Sequence, residues 1–253
     1  MERIMDFPAV VFVMAFVVLW IASRLGEAMR KRRGDMNADE HEDFGMILGA
    51  TLTLLGLIIG FTFSMAISRY DQRKNYEEAE ANAIGTEYVR GDLLPSGDAQ
   101  KVRELLKEYL EQRIEFYEVR WPSDVQRVNA KTEEVQGQLW KAVLPKEGGN
   151  RGPIEALAVA GMNDVLNSQG YTQAAWWNRI PLAAWGLMWA IAICCNVMIG
   201  FYVRPAQRHW MRLLVMPLVV AVSFFLVADI DSPRGGVIRV VPQNLVSLAD
   251  SLR

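Results

Sequence analysis

Three groups of side chains stand where their types and spacing could do chemistry. The run Asp39, Glu40, His41, Glu42, Asp43 offers the oxygen ligands that hard divalent cations prefer. It also lies just before an apolar stretch, where acids complement the positive end of a helix macrodipole. The run is read as a solvated helix start, and no metal site is expected. Glu78, Glu80 and Glu87 stand among Arg73, Lys74 and Arg90. They could form a general acid–base pair, but neither a nucleophile nor a phosphate-binding loop accompanies them. Charges at this density mark a solvated or intersubunit helix face. Asp229 and Asp231 close a long apolar run. A carboxylate at the centre of a membrane costs about 2.5–3.5 kcal/mol, and a boundary position lowers that cost. These two acids are expected to pair with Arg69 or Arg234, or to cap the turn at Gly235 and Gly236. A mouth that attracts cations is the less favoured reading. Cys194 and Cys195 are adjacent in an apolar run, which suits small packing residues better than a disulfide or a reactive thiol. Two cysteines and two histidines leave few ligands for a soft metal. Catalytic residues, a metal and a cofactor are therefore not expected, and the chain is not read as an enzyme.

The elements that must position these residues follow from segregation. Of 253 residues, 51% are hydrophobic and 22% charged, and the two kinds fall into separate blocks. That pattern predicts an all-α integral membrane protein with four transmembrane helices in two pairs and a helical extramembrane domain between them. The first span covers about residues 8–25. The mixed charges Glu2, Arg3 and Asp6 before it and the cluster Arg30 to Arg33 after it suit an anchor better than a cleaved signal. The second covers about residues 44–67, without a charge, and Asp43 is placed to cap it. No proline interrupts Phe44 to Leu94, so this helix is expected to run on to Gly91 or Pro95, about 50 residues and roughly 75 Å. The third span covers about 181–203, with Trp176 and Trp177 at its interface, and the fourth about 211–228, kinked at Pro217. The domains are then 1–69, 70–178, 179–230 and a tail, 231–253, that ends in a short amphipathic helix from Pro242 to Leu252.

Between the pairs, Val102, Leu105, Leu106, Tyr109, Leu110 and Tyr117 recur at helical spacing. A second stripe runs through Val125, Val128, Val135, Leu139 and Trp140, after a capping box at Ser123 and Gln126. Pro145 to Asn150 reads as a loop, and Pro153 suits the first turn of a further helix. The connections 26–43 and 204–210 are both rich in Lys and Arg, which places them in the cytoplasm and the middle domain on the other side. The net charge of −2 and the acidic middle region provide no broad basic face for nucleic acid.

The second span carries a row of small residues: Gly45, Gly49, Thr53, Gly56, Gly60 and Ser64. Their spacing keeps them on one helix face. Small residues let helix backbones approach closely in lipid, so the row reads first as a packing surface. A pore wall built from several copies of the helix is the sharper reading, with the hydroxyls of Thr53, Thr62, Ser64 and Ser68 facing water.

The stretch from Asp43 to Pro95 resembles the bestrophin-like family of bacterial membrane proteins. The likeness rests on the second span, Arg69-Tyr70-Asp71, Arg73, Glu78, the Glu80-Ala81-Asn82-Ala83 core and Arg90. The RIEFYE stretch from Arg113, the NRIP stretch from Asn178 and the Asp229–Gly236 turn extend it over nearly the whole chain. The family is one of unassigned function. Its name points to bestrophins, pentameric anion channels with the same order of two spans, a helical middle and two spans. Bestrophins line the pore with aromatic constrictions on the second helix, whereas this span has small residues, with Phe61 and Phe63 its only aromatics after Phe44. They keep the middle domain in the cytoplasm, opposite to the side that the Lys and Arg count gives. The expectation is a homo-oligomer in the lipid bilayer of the bacterial inner membrane, multi-pass, acting on inorganic ions as a channel or pore. The alternative is a non-conducting scaffold or sensor whose helical domain binds a protein partner.

Overall fold

The computed structural model of the protein describes residues 6–34, 36–144, 152–203 and 212–253. Glu2, Arg3, the loop from Pro145 to Asn150, the basic connection 204–210 and Met211 lie outside the described residues. Among the described residues every regular element is helical: α1 Pro8–Arg33, α2 Ala38–Arg90, a 3-10 turn Gly91–Leu93, α3 Ser96–Glu118, α4 Pro122–Val143, α5 Pro153–Trp177, α6 Leu182–Tyr202, α7 Arg212–Asp231 and α8 Gln243–Ser251. Four stretches are long and apolar enough to cross a membrane. They lie in α1, in α2, in the α5–α6 region and in α7.

Local chemistry explains the ends. Pro8, Pro122 and Pro153 each stand in a first turn, where a missing N–H costs nothing. Helix α1 stops at Gly34, whose φ of 91° is open to glycine without strain. Helix α2 is a single helix of 53 residues, as the absence of proline predicts. It begins earlier than expected, because Asn37 and Glu40 form a reciprocal cap. The Asn37 side chain accepts from the Glu40 N–H at 2.8 Å, and Glu40 accepts from the Asn37 N–H at 3.3 Å. Asp43 therefore lies inside the helix rather than capping it. Ser123 does not cap α4 either, since Pro122 already sets its first turn and Trp121 is the cap residue.

The chain divides into two units, Met1–Arg69 with Arg179–Arg239, and Tyr70–Asn178 with Val240–Arg253. In the first, apolar unit, α1 packs on α6 and α7. The packing is close enough that a methyl group at Gly26 would overlap the Val197 carbonyl, and one at Gly200 would overlap the Ser23 carbonyl. Ser23 donates to Asn196 at 3.2 Å across that contact, and Arg30 donates to the carbonyls of Phe201 and Tyr202 at the end of α6. Trp185 and Phe224 meet edge to face between α6 and α7. In the second, charged unit, α3, α4, α5 and α8 close a core of Val102, Leu106, Tyr109, Val128, Leu139 and Met162.

Candidate functional site

Helix α2 holds most of the residues singled out above, and its two sides differ. In the apolar unit Gly49, Thr53, Gly56, Gly60 and Ser64 are all exposed. A methyl group added at Gly49, Gly56 or Gly60 would meet nothing within 4 Å among the described residues. Gly45, at the start of the row, has a neighbour among the described residues, the Tyr202 hydroxyl, 3.3 Å from where a Cβ would stand. There α2 is covered: His41 stacks on Tyr202 at 4.2 Å, and Leu48 joins Ile199 and Leu213 in a small cluster. Of the most apolar stretch of α2, 11% is buried, against 50% of α7. Three threonine hydroxyls on this stretch turn back on their own helix. Thr51 donates to the Ile47 carbonyl, Thr53 to Gly49 and Thr62 to Ile58. Among the described residues, no group of acids and histidines could hold a metal ion.

In the charged unit the same helix exposes Asp71, Asn75, Glu78, Asn82 and Thr86. These repeat the spacing of Gly49, Thr53, Gly56, Gly60 and Ser64: four, three, four, four. The other side is closed. Arg73, Glu77, Glu80, Ile84 and Glu87 recur every three to four residues and are buried. The density of charge suggests a solvated face for Glu80 and Glu87. The structure corrects this, because their spacing puts them inward while Glu78 and Asn82 point out.

The buried acids have unequal company. Glu77, missed in the sequence, accepts from the N–H groups of Asn244 and Leu245 at 2.8 and 2.9 Å and so caps the start of α8. Glu80 pairs with Arg113, which is itself fully buried, and accepts from Thr172 at 3.2 Å. The Arg113 guanidinium lies 4.4 Å from the Phe116 ring centroid. Burial works against the charge on Arg113, but Glu80 beside it holds its pKa above the ordinary arginine value. Tyr109 and Tyr117, in the same pocket, are held protonated by burial and then by the Glu80 charge. The signal for Glu77 was present, as the member of the 73, 77, 80, 84, 87 series between two residues already noted.

Of the charges expected at the membrane boundary, Arg69, Asp229 and Asp231 lie in the apolar unit, and Asp71 and Arg73 lie in the charged one. Asp229 accepts from the backbone of Val237 and Ile238, both at 2.8 Å. Asp231 accepts from the Ile180 N–H and lies 3.6 Å from Arg179, which also pairs with Asp6. Both acids are buried. A methyl group at Gly235 would overlap the Asp6 backbone carbonyl, and one at Gly236 the Asp229 backbone carbonyl, so this turn is packed closely against backbone. Arg69 lies along α2, with an Nη atom 3.9 Å from the Met65 sulfur. Cys194 and Cys195 are free thiols.

An all-helical chain with four long apolar helices, one of them continuous with a charged helical unit, is a membrane-type protein. The bestrophin-like domain matches it over residues 9–245, and the chain belongs to that family. The fold is also similar to that of a bacterial bestrophin homologue from Klebsiella pneumoniae, with a TM-score of 0.63 at 13% identity, covering 96% of this chain and 94% of that one. A single-substitution variant of that homologue gives a TM-score of 0.64 at 12% identity, covering 95% of this chain and 93% of that one. A variant of a membrane protein gives 0.63 at 12%, covering 94% and 98%. No curated protein matches the chain.

Proposed function

We propose that the protein is a homo-oligomeric, multi-pass protein of the bacterial inner membrane that conducts inorganic ions, with α2 as the helix around the central axis. The observation that carries this is the open glycine face. Gly49, Gly56 and Gly60 have nothing among the described residues within 4 Å of their missing side chains, on the least buried of the apolar helices. A row of glycines on an apolar helix has a physical use where another backbone approaches, and a second copy of α2 would provide one. Glycines, Thr53 and Ser64 also leave the space that an axial path for ions needs. The resemblance to bestrophins supports the same order of helices and the same central element. The charged domain, 70–178, is then extramembrane and continues the central helix beyond the lipid, with Asp71, Glu78 and Asn82 on its exposed side.

Reconstitution of the purified protein into a planar bilayer tests this, and discrete conductance steps are expected. An oligomer that passes no current over a broad range of salts and voltages would overturn the channel and leave a scaffold or sensor. The internal hydrogen bonds of Thr51, Thr53 and Thr62 favour that rival, since hydroxyls tied to their own helix suit packing as well as a wet wall.

A further inference from the structure

The closed side of α2 in the charged unit contains one group that its surroundings do not explain. Glu87 is fully buried, and neither of its carboxyl oxygens has a hydrogen-bond partner among the described residues. Glu77 and Glu80, about three and two turns back on the same side, are satisfied by N–H donors and by Arg113. A buried carboxylate without donors is expensive, and such a group escapes the cost by keeping its proton. Burial pushes the Glu87 carboxyl up to about 7; the charge of Arg90 opposes the rise and that of Asp164 adds to it.

The groups around it define two states. Arg90, one turn on, is partly exposed and holds Nη1 4.0 Å from Glu87 Oε2, too far for a hydrogen bond. From α5, Gly161 lies against both side chains, and a methyl group there would overlap the Glu87 carboxyl and the Arg90 guanidinium. Asp164, one turn along α5, is exposed. From the 3-10 turn and α3, Asp92 and Arg103 pair with one another. Arg90 is thus the cation placed to answer a negative charge on Glu87, and Gly161 leaves the space in which it could do so.

We propose that Glu87 is a proton-binding switch at the contact of α2 with α5: it holds a proton in acid, and on losing it draws the Arg90 guanidinium into hydrogen-bonding contact beside Gly161. The carboxyl O–H breaks, the proton leaves to water, and the negative charge is answered by a guanidinium that gives up part of its solvent. The end of α2 is then packed differently against α5 on either side of neutral pH. The inference concerns the charged unit alone and holds whether or not the protein conducts ions.

Infrared difference spectroscopy of the full chain in detergent, from about pH 5 to about pH 9, reads the proton directly. A protonated-carboxyl band should disappear with a midpoint near pH 7, and Glu87→Gln should lack it. The linkage has a definite sign. The folded pKa is raised above the ordinary 4.5, so the stabilisation from this proton is full below about 4.5 and is lost as pH rises through about 7. The melting temperature of the native chain should therefore fall relative to that of Glu87→Gln across that window and run parallel to it above. Arg90→Gln, which removes the answering cation, should move the band's midpoint to higher pH, and it serves if Glu87→Gln does not fold. A carboxyl band that persists in Glu87→Gln, or a midpoint unmoved by Arg90→Gln, would overturn the proposal.

Discussion

Two sets of glycines lie in the apolar helices, and they meet opposite surroundings. Gly26 and Gly200 stand where α1 crosses α6, and each has a carbonyl of the other helix where its side chain would be. Gly49, Gly56 and Gly60 stand on α2 with open space in that position. The residue type is the same, and the difference lies in what has been brought against it. The first set is used up within the chain. The second has no described neighbour in a single copy of the chain. The charged unit repeats the contrast along α2, where Glu80 is closed over by Arg113 while Glu78 is exposed. Closed positions therefore report on the fold of one chain, and open positions are free of it.

The closed side should break most severely at Arg113. Arg113→Ala leaves Glu80 buried without its guanidinium partner, and removing one partner of a buried pair costs about 3–5 kcal/mol. Chemical unfolding in detergent should show that loss, whereas Glu78→Ala, on the exposed side, should stay within about 0.5 kcal/mol of the native chain. Equal losses at the two positions would erase the distinction between the sides of the helix.

A smaller effect is expected where α1 meets α6. Gly26→Ala adds one methyl group against the Val197 carbonyl, which must move, and overpacking of this kind costs about 1–3 kcal/mol. Gly60→Ala adds the same methyl group to open space and a better helix former, so the stability of the single chain should hold or rise slightly. Melting temperatures of the two variants, measured under conditions that keep the chain monomeric, give the comparison. If both variants melt alike, the α1–α6 approach is looser than the structure has it.

How far the sequence could be read depended on whether a feature was local. Helix α2 was legible as one long helix, because a stretch without charge is followed by one without proline. Its start was not, because Asp39 to Asp43 suit a first turn as well as a cap, and Asn37 with Glu40 takes the cap. The start of α4 was misplaced at Ser123 for a similar reason, since Pro122 fixes the first turn before serine can cap it. The small-residue row was visible because its members recur on one face. Gly26 and Gly200 were not, since each is a lone glycine, Gly26 among charges at the end of the first span and Gly200 in an apolar run, and each acquires meaning from a partner some 170 residues away. Glu77, Glu80 and Glu87 were obscured by composition. A dense run of charges suggests water, and only their three-to-four spacing, read together with Arg73 and Ile84, turns them inward. The identity of Glu80's partner, Arg113, depends on how α3 folds back, which no local pattern states.

The open face gives the last comparison, and it costs the single chain least. Gly56→Leu places a large side chain where the structure has space, so one copy should fold with its melting temperature within a few degrees of the native value. The same side chain stands between helices that must approach closely if copies of α2 meet. The oligomer should therefore fall apart while the chain stays folded, a result readable by light scattering of the detergent complex together with circular dichroism. That separation is what distinguishes an open face from a closed one. Gly26→Leu should lose both together, because there the obstructed partner belongs to the same chain. If Gly56→Leu keeps the native oligomer size, α2 is not where copies meet. The glycine face would then be free of protein contacts, and another surface would have to hold the assembly.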